Sequence, residues 1–299
     1  MKKILSLFLA VLLCAALVSC GGETTPADEP VKTSVTLVAE SARKSEHNEA
    51  TGETTATLTG EKVLLPGATV TATVTGSKYL ALEYFGLPRA IVYVPDGTYV
   101  FTVPQKADQN DYPPDTFSAN YTLTASVPTK EELTSERNIS VNPYDTKENT
   151  AFPHATTNNE YNNGGDSDFW VRNAIDGCTD NDAHGSYPHQ SWGPERVDNV
   201  ECAIDFGRTV HVTGISIHVR ADFPHDIEWE SCDVCDENGN YIGTLSFSHT
   251  KDAQAFAVEA TVSKLVFTNM KSKEPNKAES ARKWVGFTEI TVTGADLAE

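Results

Sequence analysis

The sequence has few basic residues, no segment with helical periodicity and none of the motifs GxSxG, HExxH or the P-loop. Its 23 lysine and arginine residues face 42 aspartate and glutamate residues, which gives a formal net charge of −19. A field of that sign repels nucleic acids and acidic polysaccharides, so no nucleic-acid partner is expected. The missing motifs exclude the enzyme classes that depend on them, and the missing helical periodicity disfavours a helical fold.

One hydrophobic run is present, at the N-terminus. Lys2 and Lys3 precede an apolar stretch over residues 4–18, which has the length of a signal-peptide core and is short for a membrane span. The run ends in Leu-Val-Ser-Cys at residues 17–20, which resembles the lipobox of bacterial lipoproteins. The resemblance implies a signal peptide over residues 1–19 and a lipid on the Cys20 thiol. The alternatives are an ordinary signal peptide or a membrane anchor.

That N-terminus predicts an extracytoplasmic protein held to the bacterial cell membrane or cell surface only by its lipid anchor. No second hydrophobic segment follows the run. Residues 20–34 are rich in glycine, threonine, proline and acidic residues, a composition typical of a flexible tether.

Alternating apolar and polar residues after the tether predict an all-β protein with two β-sandwiches in tandem. The first sandwich is expected over residues 35–128. Pro95, Asp96 and Gly97 form a turn signal that predicts a hairpin between the strands at residues 91–93 and 99–101. The candidate strands of this half are 35–38, 56–58, 69–75, 79–84, 90–94, 99–103 and 121–126.

A charged connector is expected over residues 129–141, with the second sandwich over residues 142–295. The connector contains one candidate helix over 129–133. Thr129 stands at its N-cap and Glu132 at the capping-box position.

The cysteines of the second half do not indicate a metal or redox pair. Cys232 and Cys235 lie in a predicted strand, where residues three apart point to opposite faces. Cys202 alternates with apolar residues, which indicates an inward side chain. A Cys178–Cys202 disulfide and free buried thiols both remain open.

Five short blocks follow one another in the second half, at residues 172–177, 190–193, 201–207, 212–217 and 287–294. Together they resemble the galactose-binding-like β-sandwich of discoidin (factor V/VIII C-type) domains and family 32 carbohydrate-binding modules. The third block lacks the family's usual leading tryptophan. The resemblance implies a jelly-roll fold that serves as a non-catalytic carbohydrate-binding appendage.

The same resemblance implies a structural calcium ion. Asp176 and Glu289 match the family's carboxylate ligands, and Thr179, Asn181 or Asp182 would supply the loop ligands. Hard oxygen donors of this kind suit calcium. The alternative is that Asp176 caps a turn and Glu289 pairs with a base.

A ligand site is also implied, at the loop end of the second sandwich. A sugar offers an apolar C–H face to an aromatic ring and hydroxyl groups to charged or amide side chains. The alternatives are that the tryptophans fill the core, that the aspartates cap a turn and that Arg220 is a buried ion-pair partner. The predicted ligand-binding residues are His154, His184, Trp192, Arg220, Asp222, His225, Asp226 and Trp229.

Three classes of function follow. The first is a surface-anchored, non-catalytic carbohydrate-binding lipoprotein. The second is a protein-docking or assembly lipoprotein of the cell envelope. The third is a polysaccharide lyase or hydrolase that uses His225 and Asp226 as an acid–base pair. The sequence favours the first, and it names neither the sugar nor the oligomeric state.

Overall fold

The structure is a computed structural model that describes residues 32–43, 45–148, 150–161, 167–274, 277–278 and 281–297. The expected signal peptide, Cys20 and the tether up to residue 31 lie outside the described residues. No helix among the described residues is both long and apolar enough to cross a membrane.

The first half of the chain forms eight strands in two four-stranded antiparallel sheets. One sheet has the order β2-β1-β4-β7 and the other β3-β8-β5-β6. Alternate residues of every central strand are buried, so the two sheets enclose one core that includes Tyr84, Tyr99 and Phe101. The strands are β1 (Ser34–Glu40), β2 (His47–Gly52), β3 (Thr55–Gly60), β4 (Thr69–Thr75), β5 (Tyr79–Tyr84), β6 (Ala90–Tyr93), β7 (Thr98–Thr102) and β8 (Tyr121–Ser126).

The expected hairpin at the Pro-Asp-Gly turn is wrong. The turn itself is present, with Gly97 N donating to Val94 O at 2.9 Å. However, β6 pairs with β5 in one sheet, and β7 pairs with β4 in the other. Both strands bury one face in the same core, so the turn carries the chain from one sheet to the other. Strand β2 was not predicted, because all its side chains are exposed or half-buried and they carry no apolar alternation.

The connector helix is confirmed as α1 (Lys130–Thr134). The Thr129 side chain accepts from Glu132 N, and the Glu132 side chain accepts from Thr129 N, so both halves of the capping box are present. Other helical elements among the described residues include short 3₁₀ turns over Asp108–Asp111, Ser167–Phe169 and Val171–Ile175.

The second half forms a seven-stranded sheet that folds over on itself. Its order is β13-β12-β14-β11-β15-β9, with β10 also paired to β11. The pairing of β11 with β14 is broken between Asp205 and Val210. At this break Gly207 has a φ of +64°, and the ring of Phe152 occupies the space that a Cβ would need. The strands are β9 (Arg137–Asn138), β10 (His154–Thr157), β11 (Cys202–Val219), β12 (Trp229–Cys235), β13 (Tyr241–Ser246), β14 (Gln254–Ser272) and β15 (Phe287–Asp296).

The break lets the two long strands β11 and β14 contribute to both layers of a sandwich. Ile204 lies before the break and Ile217 lies after it, yet both are buried in one core together with Val234 and Val292. The prediction of an all-β protein with two sandwiches in tandem is therefore confirmed.

The four cysteines of this half are free thiols. Cys202 and Cys232 are buried, whereas Cys178 and Cys235 are half-buried. The inward position of Cys202 and the opposite faces of Cys232 and Cys235 agree with the sequence pattern. Burial raises the pKa of the Cys232 thiol to about 12, so this thiol is inert at neutral pH.

The two sandwiches are joined through buried polar contacts. The Tyr144 hydroxyl accepts from Tyr84 N at 2.9 Å and donates to Pro88 O at 3.1 Å. Arg172 donates to Asp111 at 2.7 Å, with both side chains buried. These contacts order the loops at the start of the second sandwich.

Candidate ligand-binding site

An open cavity of about 400 Å³ lies among the loops of the second sandwich. None of its lining residues belongs to a strand, and they come from four separate segments of the chain. Two of these segments contain predicted site residues and two do not. The lining consists of Tyr161, Asp168, Phe169, His184, Gly185, Gly193, Arg220, His225 and Trp284.

Arg220 and Asp226 fix the segment that follows β11. Arg220 N donates to Gly286 O at 2.9 Å, and Asp226 N donates to Asp222 O at 2.8 Å, which closes a turn. The Arg220 guanidinium donates to both carboxylate oxygens of Asp226, at 2.7 and 3.1 Å. Each of these two residues is only 2 % exposed. Arg220 is therefore a buried ion-pair partner, as the alternative interpretation of the sequence had it. Its ion pair with Asp226 positions the loop that follows β11.

Two histidines form hydrogen bonds with the carboxylates of this segment. His184 Nδ1 donates to Asp222 Oδ2 at 2.6 Å, and His225 Nδ1 donates to Asp226 Oδ1 at 2.9 Å. Carboxylates at Nδ1 hold the proton there, which leaves Nε2 of each ring as an acceptor when the ring is neutral. The two rings are stacked, with centroids 4.5 Å apart and planes 14° apart. The structure thus brings together His184 and Asp222, which lie 38 positions apart in the sequence.

Aromatic rings form another part of the lining. Tyr161 lies edge-on between Trp284 and Phe169, with ring centroids at 4.8 and 5.5 Å. The guanidinium of Arg196 lies 4.4 Å from the centroid of the Trp284 ring. An aromatic surface beside hydrogen-bonding groups is the combination that a sugar requires, with its C–H face on a ring and its hydroxyls on polar atoms.

The sequence did not identify these aromatic residues. Trp284 directly precedes Val285 and Gly286, and these neighbours do not mark it as a ligand-binding residue. Tyr161 and Phe169 lie in a polar segment without periodicity, so their sequence neighbourhood carries no signal. A parallel bridge between Asp226 and Trp284 places the indole beside the predicted polar loop.

The two tryptophans expected to hold a ligand are core residues. Trp192 is fully buried and Trp229 is 4 % exposed, and both belong to the core of the second sandwich. A buried indole has no face to offer a ligand. Both residues therefore follow the alternative interpretation, and we assign the aromatic surface to Trp284 instead.

His154 lines a different cavity. It lies beside Lys147 and Thr156 and donates from Nδ1 to Asp145 at 2.8 Å. Burial opposes its protonation, but the hydrogen bond and negative charge of Asp145 outweigh burial and raise its pKa. His154 thus orders the start of the sandwich and does not line the candidate ligand cavity.

Asp176 and Glu289 form a second candidate site, deep beside the junction of the sandwiches. Asp176 accepts from Cys178 N and from Gln190 Nε2, each at 2.7 Å, and Glu289 accepts from Gly177 N at 3.1 Å. Burial raises the pKa of Asp176 to about 7. Burial and the negative charge of Asp176 raise the pKa of Glu289 well above its ordinary value.

The buried oxygens around Asp176 and Glu289 decide whether a calcium ion fits here. Within the described part of the chain, the buried oxygens Glu289 Oε1 and Gln190 Oε1 have no hydrogen-bond partner. A buried carboxylate oxygen and a buried amide oxygen without hydrogen-bond partners, beside the second buried carboxylate of Asp176, favour a hard cation, so the residues fit calcium.

The predicted loop ligands of this ion differ in position. Thr179 lines the same cavity as Asp176 and Gln190. Asn181 is buried, and its amide donates to Val219 O at 2.8 Å and to Lys251 O at 2.9 Å. Asn181 therefore braces the end of β11. Gln190 was not anticipated as a neighbour of Asp176.

No protein-family model and no curated protein matches the chain. Among solved structures, it is similar to the C-terminal domain of a chitobiase from Bacteroides fragilis (16 % identity, TM-score 0.37, covering 48 % of this chain and 93 % of that chain). A family 32 carbohydrate-binding module from C. perfringens in complex with galactose gives 13 % identity, a TM-score of 0.35 and coverage of 46 % and 91 %. A fucose-binding module from Streptococcus pneumoniae gives 15 % identity and a TM-score of 0.36, and the match covers 52 % of this chain and 96 % of that chain.

Proposed function

We propose that this protein binds carbohydrate without catalysing a reaction, and that the loop cavity of the second sandwich holds the sugar. The observation that supports the proposal is the lining of that cavity, where Trp284, Tyr161 and Phe169 accompany His184 and His225. The aromatic rings take the C–H face of a sugar ring, and the imidazoles hydrogen-bond its hydroxyl groups.

The charge of the cavity favours a neutral sugar over an acidic one. Asp226 neutralises Arg220 within the ion pair, which leaves Asp168 in the lining and Asp222, hydrogen-bonded to the lining residue His184, as further acidic groups. Two carboxylates beside the ligand repel a carboxylate or sulfate on a sugar.

The hydrogen bonds and the burial of Asp226 support binding without catalysis. Both of its oxygens accept hydrogen bonds from Arg220, and the side chain is buried. A buried carboxylate whose two oxygens already accept hydrogen bonds from a guanidinium is poorly placed to exchange a proton with a leaving group. His225 and Asp226 are therefore a poor acid–base pair for glycoside cleavage.

The proposal includes the lipid anchor and the calcium ion. Cys20, in its lipobox-like context, would carry the lipid and hold both sandwiches outside the cytoplasm. Asp176 and Glu289, with Gln190 and the Thr179 loop, would hold calcium and tie the start of the second sandwich to β15.

A glycan array followed by calorimetry tests the sugar site, with purified full-length protein in calcium-containing buffer. We expect a neutral glycan to bind and Trp284→Ala to weaken that binding at least about tenfold, because the ring surface is lost. Tyr241→Ala is the matched control, since Tyr241 is 64 % exposed and does not line the cavity.

Loss of binding in Trp284→Ala with an unchanged Tm, together with normal binding by Tyr241→Ala, supports the site. If the folded wild-type protein binds no glycan, the carbohydrate function is wrong. A stoichiometric protein partner captured from the cell surface in that case would point to docking.

A further inference from the structure

We propose that His184, Asp222, His225 and Asp226 form a binding site for a divalent transition metal, with Zn²⁺ as the best fit. One ligand atom from each residue lies within 4.8 Å of every other, and the four residues come from two separate loops. The site goes beyond sugar binding and does not depend on it, although it borders the same cavity.

The donor set favours zinc over calcium. Two imidazole nitrogens and two carboxylate oxygens suit Zn²⁺, whereas Ca²⁺ takes six to eight oxygen ligands. Zn²⁺ bonds of about 2.0–2.1 Å in a tetrahedron place neighbouring ligand atoms roughly 3.3 Å apart. The observed separations of 2.6 Å (His184 Nδ1 to Asp222 Oδ2), 2.9 Å (His225 Nδ1 to Asp226 Oδ1) and 4.0 Å (His225 Nδ1 to Asp222 Oδ2) bracket that value.

The stacked histidines are an independent indication. Two imidazoles stacked with their centroids 4.5 Å apart place two nitrogen donors side by side, and neutral imidazole is the form of histidine that binds metal. Binding through Nδ1 would move each ring's remaining proton to Nε2. That nitrogen would then donate to a ligand in the cavity.

The charge balance favours a dication. Arg220 compensates Asp226 through a bidentate ion pair, while the described side-chain contacts of Asp222 are to the two histidines. With neutral histidines the four residues and Arg220 together carry a charge of about −1, so a Zn²⁺ ion is attracted.

Access to the site is open on one side. The side chains of His184, Asp222 and His225 are 34 %, 29 % and 50 % exposed, whereas that of Asp226 is buried. The three exposed groups can therefore close on an entering ion with small side-chain movements. Asp226, already held by Arg220, is the fixed member of the set.

Calorimetric titration of ZnCl₂ into full-length protein tests the site, with calcium present throughout to occupy the other candidate site. We expect one Zn²⁺ per chain at the cluster, and a loss of affinity of at least about tenfold in His184→Ala and in His225→Ala. The matched control is His211→Ala, since His211 forms a single imidazole–carboxylate pair with Glu259 at 3.0 Å. This control should bind zinc as the wild type does.

Co²⁺ provides a second readout. Tetrahedral coordination by nitrogen and oxygen should give the visible absorption of four-coordinate Co²⁺, and His184→Ala should abolish it. Equal zinc affinity in the wild type, His184→Ala and His225→Ala would overturn the proposal, as would a wild type that does not bind zinc. The glycan assay repeated after zinc removal separates the two proposals, because sugar binding that persists leaves the proposed function intact whatever zinc does.

Discussion

The two sandwiches bury different kinds of side chain. In the described residues 35–128, the only buried charged side chain is Asp111, and its partner Arg172 belongs to the second sandwich. The core of the first sandwich consists of aliphatic and aromatic side chains such as Phe101 and Leu123. The second sandwich buries many charged groups, among them Arg220 and Glu289.

This difference means that the second sandwich contains the buried charges that can destabilise the fold. A buried charge is destabilising unless it is paired and hydrogen-bonded, and an apolar core of the same volume avoids that cost. Among these charges, Arg220 lines the cavity at the loop end and Asp176 lines the cavity at the junction of the sandwiches. The first sandwich is therefore built for stability, and the second gives up some stability to hold polar groups in fixed positions.

Removing one partner of the buried ion pair should give the largest effect. Arg220→Ala leaves the buried carboxylate of Asp226 without its guanidinium partner, with an expected loss of about 3–5 kcal/mol in the free energy of unfolding. The matched change in the first sandwich is Arg89→Ala. Its partners Glu83 and Glu132 are exposed, so the expected loss is under about 1 kcal/mol.

Denaturant unfolding of both variants measures this contrast. Similar losses in Arg220→Ala and Arg89→Ala would break the comparison between the two sandwiches. The expected instability of Arg220→Ala also makes this variant unsuitable as a test of sugar contact.

The buried carboxylate pair should give the next largest effect, through calcium and pH. Calcium at 100 times its Kd should stabilise the fold by about 2.7 kcal/mol, because it binds only the folded chain. Without metal, Asp176 keeps its proton in the folded state up to about pH 7, against an ordinary pKa of 3.8. The folded chain then binds more protons between these values, so stability falls as pH rises through that window.

Thermal unfolding at pH 5.5 and 7.5, in calcium and in chelator, checks this. We expect the metal-free protein to be less stable at pH 7.5, and calcium to restore the difference. Asp176→Asn should remove the calcium response, whereas Asp198→Asn, in an ion pair with Arg282 and with a side chain that is 74 % exposed, should keep it. A wild type that does not respond to calcium would contradict the proposed site.

The hydroxyl that joins the sandwiches should give the smallest effect of the three. Tyr144→Phe leaves Tyr84 N and Pro88 O without their partner, with an expected loss of about 1.5 kcal/mol in the free energy of unfolding. Tyr241→Phe removes an exposed hydroxyl and should stay within about 0.5 kcal/mol of the wild type. Equal losses would mean that the junction contributes no more than the surface does.

Local sequence features predicted part of this fold well. The alternation in β4, β5 and β8 defined these strands to the residue, and Thr129 with Glu132 defined the capped helix. These features depend on neighbouring residues, which the sequence displays directly. The wrong hairpin at Gly97 shows the limit, because a turn signal does not tell which sheet the next strand joins.

The candidate site was predicted in its polar half only. Arg220, Asp222, His225 and Asp226 share one short segment dense in polar groups, so the sequence made them visible. Trp284 comes from a segment more than fifty residues away, and its half-exposed position depends on the packing around Asp226. Trp192 differs from Trp284, because the sequence predicted it to bind a ligand and the structure buries it in the core.

The sequence by itself determined the all-β class, the two tandem sandwiches and the segments rich in polar groups, because strand periodicity and turn chemistry are local properties. Only the tertiary structure decided which of those groups meet. It placed His184 against His225, buried Arg220 with Asp226, and turned Trp284 toward the cavity while Trp192 entered the core. The physical reason is that burial and contact across distant loops depend on how the long strands β11 and β14 fold over one core.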